Sequence, residues 1–383
     1  METRKLYYED SHLSDFTARV LSCREASGAW EVILDATAFY PEGGGQPCDV
    51  GMLGNARVLD VREREGQVCH LCHAPLDVGE QVEGHIDYPR RFRLMQQHSG
   101  EHIVSGIVNR RFGYHNVGFH MASETMVIDF DGVISPQALE EIEMEANRAV
   151  WANLRVHCHV PDPETLKTMA YRSKRALDWP VRIVEIPGID TCACCGTHVQ
   201  ATGEIGVIKI LSAMPCRGGT RLEMACGYHA LTLLNLAYGQ NRLVSQTFSA
   251  KWPETGAAAQ RMWEALEQEK AAKNALWKRL FRSIAGEYAG QGQVVHFEDG
   301  LEPALIRELA DTIADTSGGL AAVFSGDDGA GYGYALVTRE GDLRPLGREM
   351  TASLHGRGGG KPNYQQGRLS ATREEIRAFF RKM

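Results

Sequence analysis

Two pairs of metal-competent side chains constrain this chain more than any other feature. His98 and His102 stand four residues apart in Gln97-His98-Ser99-Gly100-Glu101-His102-Ile103. Cys194 and His198 stand four apart in Cys192-Ala193-Cys194-Cys195-Gly196-Thr197-His198. On a helix the first spacing puts both imidazoles on one face, where two nitrogens reach one cation. Two His joined by a Cys and a His make a borderline-soft nitrogen–sulfur set, which suits tetrahedral zinc. A fold that uses them together must bring the two segments into contact. Four protein ligands make a closed site, whereas catalytic zinc keeps a position open. Either one ligand, His198 or a cysteine, is loose, or the metal only organises the pocket. Cys192 and Cys195 compete with Cys194 for the sulfur position.

Length and composition set the rest of the frame. A chain of 383 residues makes two or three domains with real cores. Hydrophobic residues at 43% and charged residues at 23% exclude a disordered, collagenous or repeat-fibre chain. No apolar run reaches about 18 residues, so no transmembrane helix is expected. The opening Met-Glu-Thr-Arg-Lys-Leu-Tyr-Tyr-Glu-Asp lacks the apolar core of a signal peptide. Ten cysteines are then read as thiols or metal ligands in a cytoplasmic protein, not as a disulfide framework. Net charge is −8, which argues against a protein that coats nucleic acid everywhere. Residues 344–383 nevertheless carry nine Lys or Arg against three Glu. That asymmetry points to a polyanionic partner at this end, or to a solvated helix face.

The pattern along the chain predicts an α+β, multidomain architecture. Residues 1–88 alternate in short segments near 15–24, 29–37, 56–63, 67–72 and 81–87, as a small β-barrel or curled sheet does. Between them, Tyr40-Pro41-Glu42-Gly43-Gly44-Gly45-Gln46-Pro47 makes a loop that can approach a ligand closely. Cys69-His70-Leu71-Cys72-His73 is half of a zinc knuckle without a partner half, and its alternation suits a strand. Asp87 caps a helix that runs to about Phe112 and stops at Gly113. A second helix starts at Ser135-Pro136, and strands follow near 181–186, 205–211 and 220–226, so residues 89–230 read as an α+β domain. Residues 231–290 form a helical or coiled-coil linker. Residues 291–383 begin strand–helix–strand–strand. They end in a loop, Leu354-His355-Gly356-Arg357-Gly358-Gly359-Gly360-Lys361-Pro362, and a basic helix near 372–382.

At this point the motifs resemble a known family. Thr37-Ala38-Phe39-Tyr40-Pro41-Glu42-Gly43-Gly44-Gly45-Gln46-Pro47, His98-Ser99-Gly100-Glu101-His102, Cys194-Cys195-Gly196-Thr197-His198, Thr202-Gly203-Glu204-Ile205-Gly206 and Gly218-Gly219-Thr220-Arg221-Leu222-Glu223 are similar to the editing domain of alanyl-tRNA synthetase and its freestanding relatives, the AlaX proteins. They occur in the family's order over residues 1–230. Gly356-Arg357-Gly358-Gly359-Gly360-Lys361-Pro362 resembles the glycine-rich loop of the DHH-associated nucleic-acid-binding domain, an α/β module that would occupy 291–383. The chain is thus similar to the long AlaX form. No class II aminoacylation domain and no Asp-His-His phosphodiesterase motif are expected in it, so by this resemblance it should edit and not charge. Cys195 departs from the pattern, since the family usually has glycine there.

The resemblance implies a trans-editing, ATP-independent ester hydrolase acting on tRNA-Ala mischarged with serine or glycine. An alanine-charging pocket rejects neither a smaller side chain nor an added hydroxyl strongly, so a second, hydrolytic site is needed. By resemblance one zinc per chain is held by His98, His102, Cys194 and His198. Gly43, Gly44, Gly45 and Gln46 supply N–H groups and an amide beside the ester. Thr37 meets the seryl hydroxyl, and Glu42 orients water. Arg217 and Arg221 are candidates for the tRNA acceptor end. His355, Arg357 and Lys361 are candidates for the tRNA body. Homodimerisation through the linker or C-terminal domain fits the same residues as an intramolecular hairpin does. The contrasting readings are a tRNA-binding or assembly protein with a degenerate pocket, and hydrolysis of another acyl ester or amide.

Overall fold

Period-two alternation in the first ninety residues closes on itself. In the computed structural model, which describes residues 2–26, 28–122, 124–173 and 179–383, six antiparallel strands form a barrel. In spatial order they are Asp15–Ala26, Ala29–Leu34, Gln67–Cys72, Ala56–Arg64, Gly51–Leu53 and Gln81–Ile86. In the last strand Val82, Gly84 and Ile86 are buried while Gln81, Glu83 and His85 face solvent. Gly84 has a steric reason: a Cβ there would lie 2.3 Å from the Phe16 ring. Val20, Val32, Leu34, Leu53, Val58, Val61 and Val68 fill the interior.

The helix Tyr88–Phe112 follows the barrel. The Asp87 carboxylate accepts from the Arg90 N–H, Pro89 sits in the first turn, and Gly113 closes the helix at φ +72°. Its middle, from Met95 to Val108, is buried on every side. That stretch includes Gln96, Gln97, His98, Ser99, Glu101, His102 and Ser105, so seven polar side chains must find partners inside the protein. Packed on this helix are Pro136–Trp151, capped by Ser135, and a four-stranded antiparallel sheet ordered Ile208–Cys216, Gly219–Cys226, Met126–Phe130, Asn116–Met121. A smaller sheet pairs His157–His159, Ile183–Ile186 and Asp190–Ala193. The expected strand at 205–211 is divided. Thr202–Ile205 forms a 3-10 turn, and the strand proper runs over Ile208–Cys216.

The chain divides into two compact units, Met1–Leu243 and Val244–Met383. In the second, the helix Thr255–Gly286 precedes a five-stranded sheet. Its order is Gly292–Phe297, Gly318–Asp327, Gly331–Val337, Tyr364–Leu369, Arg357–Lys361, with only the first pair parallel. Pro303–Ser317, with Phe281 and Ala285, covers one face; Arg344–Ser353 and Arg373–Phe380 cover the other. Residues 357–361, expected within a loop, are the edge strand of this sheet. Glycine lets that strand lie flat, since a Cβ on Gly358 would meet the Tyr334 hydroxyl at 2.2 Å. Among the described residues no helix is long and apolar enough to cross a membrane.

Candidate metal centre

The fold brings the two sequence-distant pairs together. One ligand atom each from His98, His102, Cys194 and His198 falls in a cluster whose members all lie within 4.8 Å of one another. Cys194 Sγ is 3.4 Å from His98 Nε2 and 3.4 Å from His198 Nε2. Tetrahedral zinc, with bonds of about 2.0–2.1 Å to nitrogen and about 2.3 Å to sulfur, separates N and S by about 3.5 Å. The donor set therefore fits that ion in size as well as in chemistry.

The far side of each imidazole decides whether its Nε2 can bind. His98 Nδ1 lies 2.9 Å from Gln46 Oε1, which can only accept, so Nδ1 carries the proton and Nε2 presents its lone pair. His102 Nδ1 lies 3.0 Å from Asp190 Oδ2. Burial opposes ionisation of Asp190, but Arg172 and His102 bring its carboxyl down to about 2, so it accepts too. His198 Nδ1 faces Ser99 Oγ at 3.2 Å. Burial would raise the Cys194 thiol, yet the surrounding His98, His198 and His102 hold it well below the ordinary thiol range. Gln46 and Asp190 thus orient His98 and His102 through Nδ1, and the thiolate of Cys194 completes a donor set of the kind zinc takes.

Small residues make the approach possible. A Cβ on Gly196 would lie 2.1 Å from His98 Cε1, and one on Gly106 would lie 2.5 Å from the Ile189 carbonyl beside Asp190. The Gly196 N–H also donates to Cys194 Sγ at 3.3 Å. The sulfur competition resolves geometrically in favour of Cys194. Cys192 groups instead with His102 and Asp190, and Cys195 is exposed.

The other expected site residues have the following surroundings. Gln46 is fully buried, and its amide is committed: Oε1 serves His98 and the Thr197 N–H, and Nε2 donates to Thr197 Oγ1 at 2.8 Å. It therefore orients a ligand instead of facing an ester. Thr37 is also fully buried. His70 Nδ1 donates to the Val32 carbonyl, so its Nε2 accepts from the Thr37 hydroxyl at 2.8 Å, and that oxygen in turn accepts the Phe39 N–H. The hydroxyl is thus hydrogen-bonded within the N-terminal core. Glu42 is exposed and paired with Arg62 at 3.2 Å. Gly43 and Gln46 exchange backbone hydrogen bonds, with Gly44 at φ +61° and Gly45 at φ +84°, so the glycines form a tight two-residue turn. Arg221 is bound by Asp129 through two 2.7 Å contacts, and Arg217 stands at the tip of the 216–219 hairpin with φ +43°. His355, Arg357 and Lys361 are exposed on or beside the edge strand.

Three groups near the centre escaped sequence reasoning. Glu101 is buried, accepts from Ser105 and Asn116 at 2.5 Å, and lies 3.8 Å from His102 Nε2. Arg172 clamps Asp190 at 2.6 and 2.8 Å. Arg182 Nη1 donates to the carbonyls of Cys194 and Gly196. The one available signal was polarity without amphipathic relief in residues 96–105.

Two family models match parts of this chain. Residues 4–90 match the tRNA synthetases class II (A) model, and residues 181–223 match the threonyl and alanyl tRNA synthetase second additional domain. The first span holds the barrel and glycine turn; the second holds Arg182, Cys194 and His198. Each of these two segments is thus similar to a synthetase module. Over 97% of its length it is 28% identical to the alanyl-tRNA editing protein AlaX-L of Pyrococcus horikoshii, 96% of which it covers. It is 27% identical over 97% of its length to an alanyl-tRNA editing protein of Rattus norvegicus, again covering 96%. It is 33% identical to the alanine–tRNA ligase of Halobacterium salinarum over 86% of this chain, but spans 38% of that enzyme. The AlaX resemblance carried by the motifs therefore holds over nearly the whole chain.

Proposed function

We propose that this chain is a zinc-dependent deacylase that acts in trans on tRNA-Ala mischarged with serine, and with glycine as a second substrate. The observation that carries the reading is the convergence of His98, His102, Cys194 and His198, each imidazole held by its own acceptor or hydroxyl partner. A binding module with a degenerate pocket has no need to keep Gln46, Asp190 and Ser99 in register with three ligands. When bound, zinc supplies a Lewis-acid centre and fixes the loop that carries Cys194 and His198.

The chain's own groups supply the rest. Gln46 and Asp190 hold protons on Nδ1 of His98 and His102. Phe119 stacks on His98, with ring centroids 5.4 Å apart, and shields it from water. Among the described residues no acceptor meets the N–H groups of Gly44 or Gly45, which leaves both as donors for a developing oxyanion. In the second unit, the reading of residues 291–383 as a DHH-associated nucleic-acid module draws support from its basic edge. Arg357 lies directly opposite Arg368 in the strand register, and Lys361 opposite Tyr364. Facing like charges are unfavourable unless an anion sits between them, and an RNA phosphate supplies one. Arg217, at its exposed hairpin tip, is a further phosphate contact.

The test is to incubate the purified protein with seryl-tRNA-Ala and alanyl-tRNA-Ala and to follow ester loss beside a His98→Ala variant. Loss of serine alone, absent in the variant, is expected. Persistence of both esters, or equal loss in the variant, contradicts the proposal.

A further inference from the structure

A cavity of about 690 Å³ reaches His198 from outside. Its wall joins Tyr7 and Tyr8 of the N-terminal segment to Arg155, His157 and Arg182 of the small-sheet region. Arg182 is half-buried there. Its Nη1 is fixed by the carbonyls of Cys194 and Gly196, at 2.9 and 3.0 Å, and its guanidinium lies 4.7 Å from the centre of the Tyr8 ring. Both contacts are to uncharged groups, and among the described residues no carboxylate pairs with Arg182 or Arg155. Of the three acidic residues on the same wall, Glu9 pairs with Arg4 at 2.7 Å, Asp10 accepts from Gln200 and the His12 N–H, and Glu185 forms no ion pair with either arginine among the described residues. A rigidly held guanidinium without a counter-ion, beside an aromatic ring and next to the metal ligands, is built for an anion.

The nearest fixed anion to an ester at the end of an RNA chain is the phosphate on the 5′ side of the last nucleoside. We propose that this cavity takes the terminal nucleotide of the substrate and that Arg182 contacts that phosphate. The assignment rests on the deacylase reading. It adds a positioning residue and explains why one arginine is tied to the backbone of the ligand loop: the phosphate contact and the metal loop move as one body.

The test compares two small esters, 3′-O-seryl adenosine, which lacks the phosphate, and its cytidylyl-(3′→5′)-adenosine counterpart, which has it. Wild type and Arg182→Ala are assayed on both, with metal content measured in each. Wild type is expected to favour the phosphate-bearing ester about tenfold in kcat/KM, chiefly through KM. In Arg182→Ala that ratio should fall near one while one metal equivalent is retained. A ratio unchanged by the substitution, or no preference in wild type, overturns the assignment and leaves the deacylase reading standing. Inactivity of wild type on both esters and on seryl-tRNA removes the deacylase reading, and the assignment with it. If only full-length seryl-tRNA reacts, the salt dependence decides: the slope of log KM against log salt should drop by about 0.7 in the variant, and an equal slope overturns the assignment.

Discussion

At the level of single side chains, the account turns on where each proton sits. Gln46 fixes the His98 tautomer through one carbonyl oxygen, so Gln46→Ala should weaken zinc binding by about 10- to 100-fold, read by chelator competition, without unfolding the protein. Thr37→Val should behave differently. It leaves buried His70 Nε2 without a donor and the Phe39 N–H without an acceptor. The expected result is a loss of about 1–3 kcal/mol in denaturant unfolding, with the preference for seryl- over alanyl-tRNA intact. A loss of that preference at unchanged stability would place Thr37 in the substrate pocket. The ligands themselves were legible in the sequence because four-residue spacing of His and Cys is itself coordination chemistry. Their supports were not. Gln46, Asp190 and Ser99 touch the ligands from remote positions or as ordinary polar residues, and nothing in a local pattern marks a glutamine as an imidazole's acceptor.

Among elements, the helix Tyr88–Phe112 was readable to its ends because capping is local: an Asp, a Pro and a Gly suffice. The strands Asn116–Met121 and Met126–Phe130 were not, since Gly118 and His120 break the alternation and pairing with Gly219–Cys226 supplies what propensity does not. The same limit hid the edge strand Arg357–Lys361, whose three glycines read as a loop until a neighbouring strand ordered them. One buried ion pair ties the elements around the site. Arg91 and Asp49 are each 1% exposed, and Arg91 also donates to the carbonyls of Ser11 and Ala38. Removing the cation strands a buried carboxylate, so Arg91→Ala should destabilise the first unit by about 3–5 kcal/mol, measured by urea unfolding. On the edge strand the sign reverses. Arg357→Ala relieves repulsion with Arg368, so stability should hold while the salt slope of tRNA binding falls by about 0.7–0.9. A stability loss with unchanged RNA affinity would make that arginine structural.

For the whole molecule, the proposal gives each unit its own task, since the His/Cys cluster lies in the first and a basic sheet edge in the second. The motifs were legible along the chain whether they lie on a helix, as His98–His102 does, or in loops, as the glycine turn does, because their chemistry restricts residue choice more than packing does. The central claim is that the His98–His102–Cys194–His198 centre carries ester hydrolysis. The most direct measurement strips the protein with a chelator, then returns zinc in steps while seryl release from seryl-tRNA-Ala is followed. The account predicts an inactive stripped protein whose activity climbs linearly and levels at one equivalent per chain, with no recovery in Cys194→Ser and full recovery in Cys195→Ser. Undiminished activity in the stripped wild-type protein, or recovery in Cys194→Ser, would contradict it.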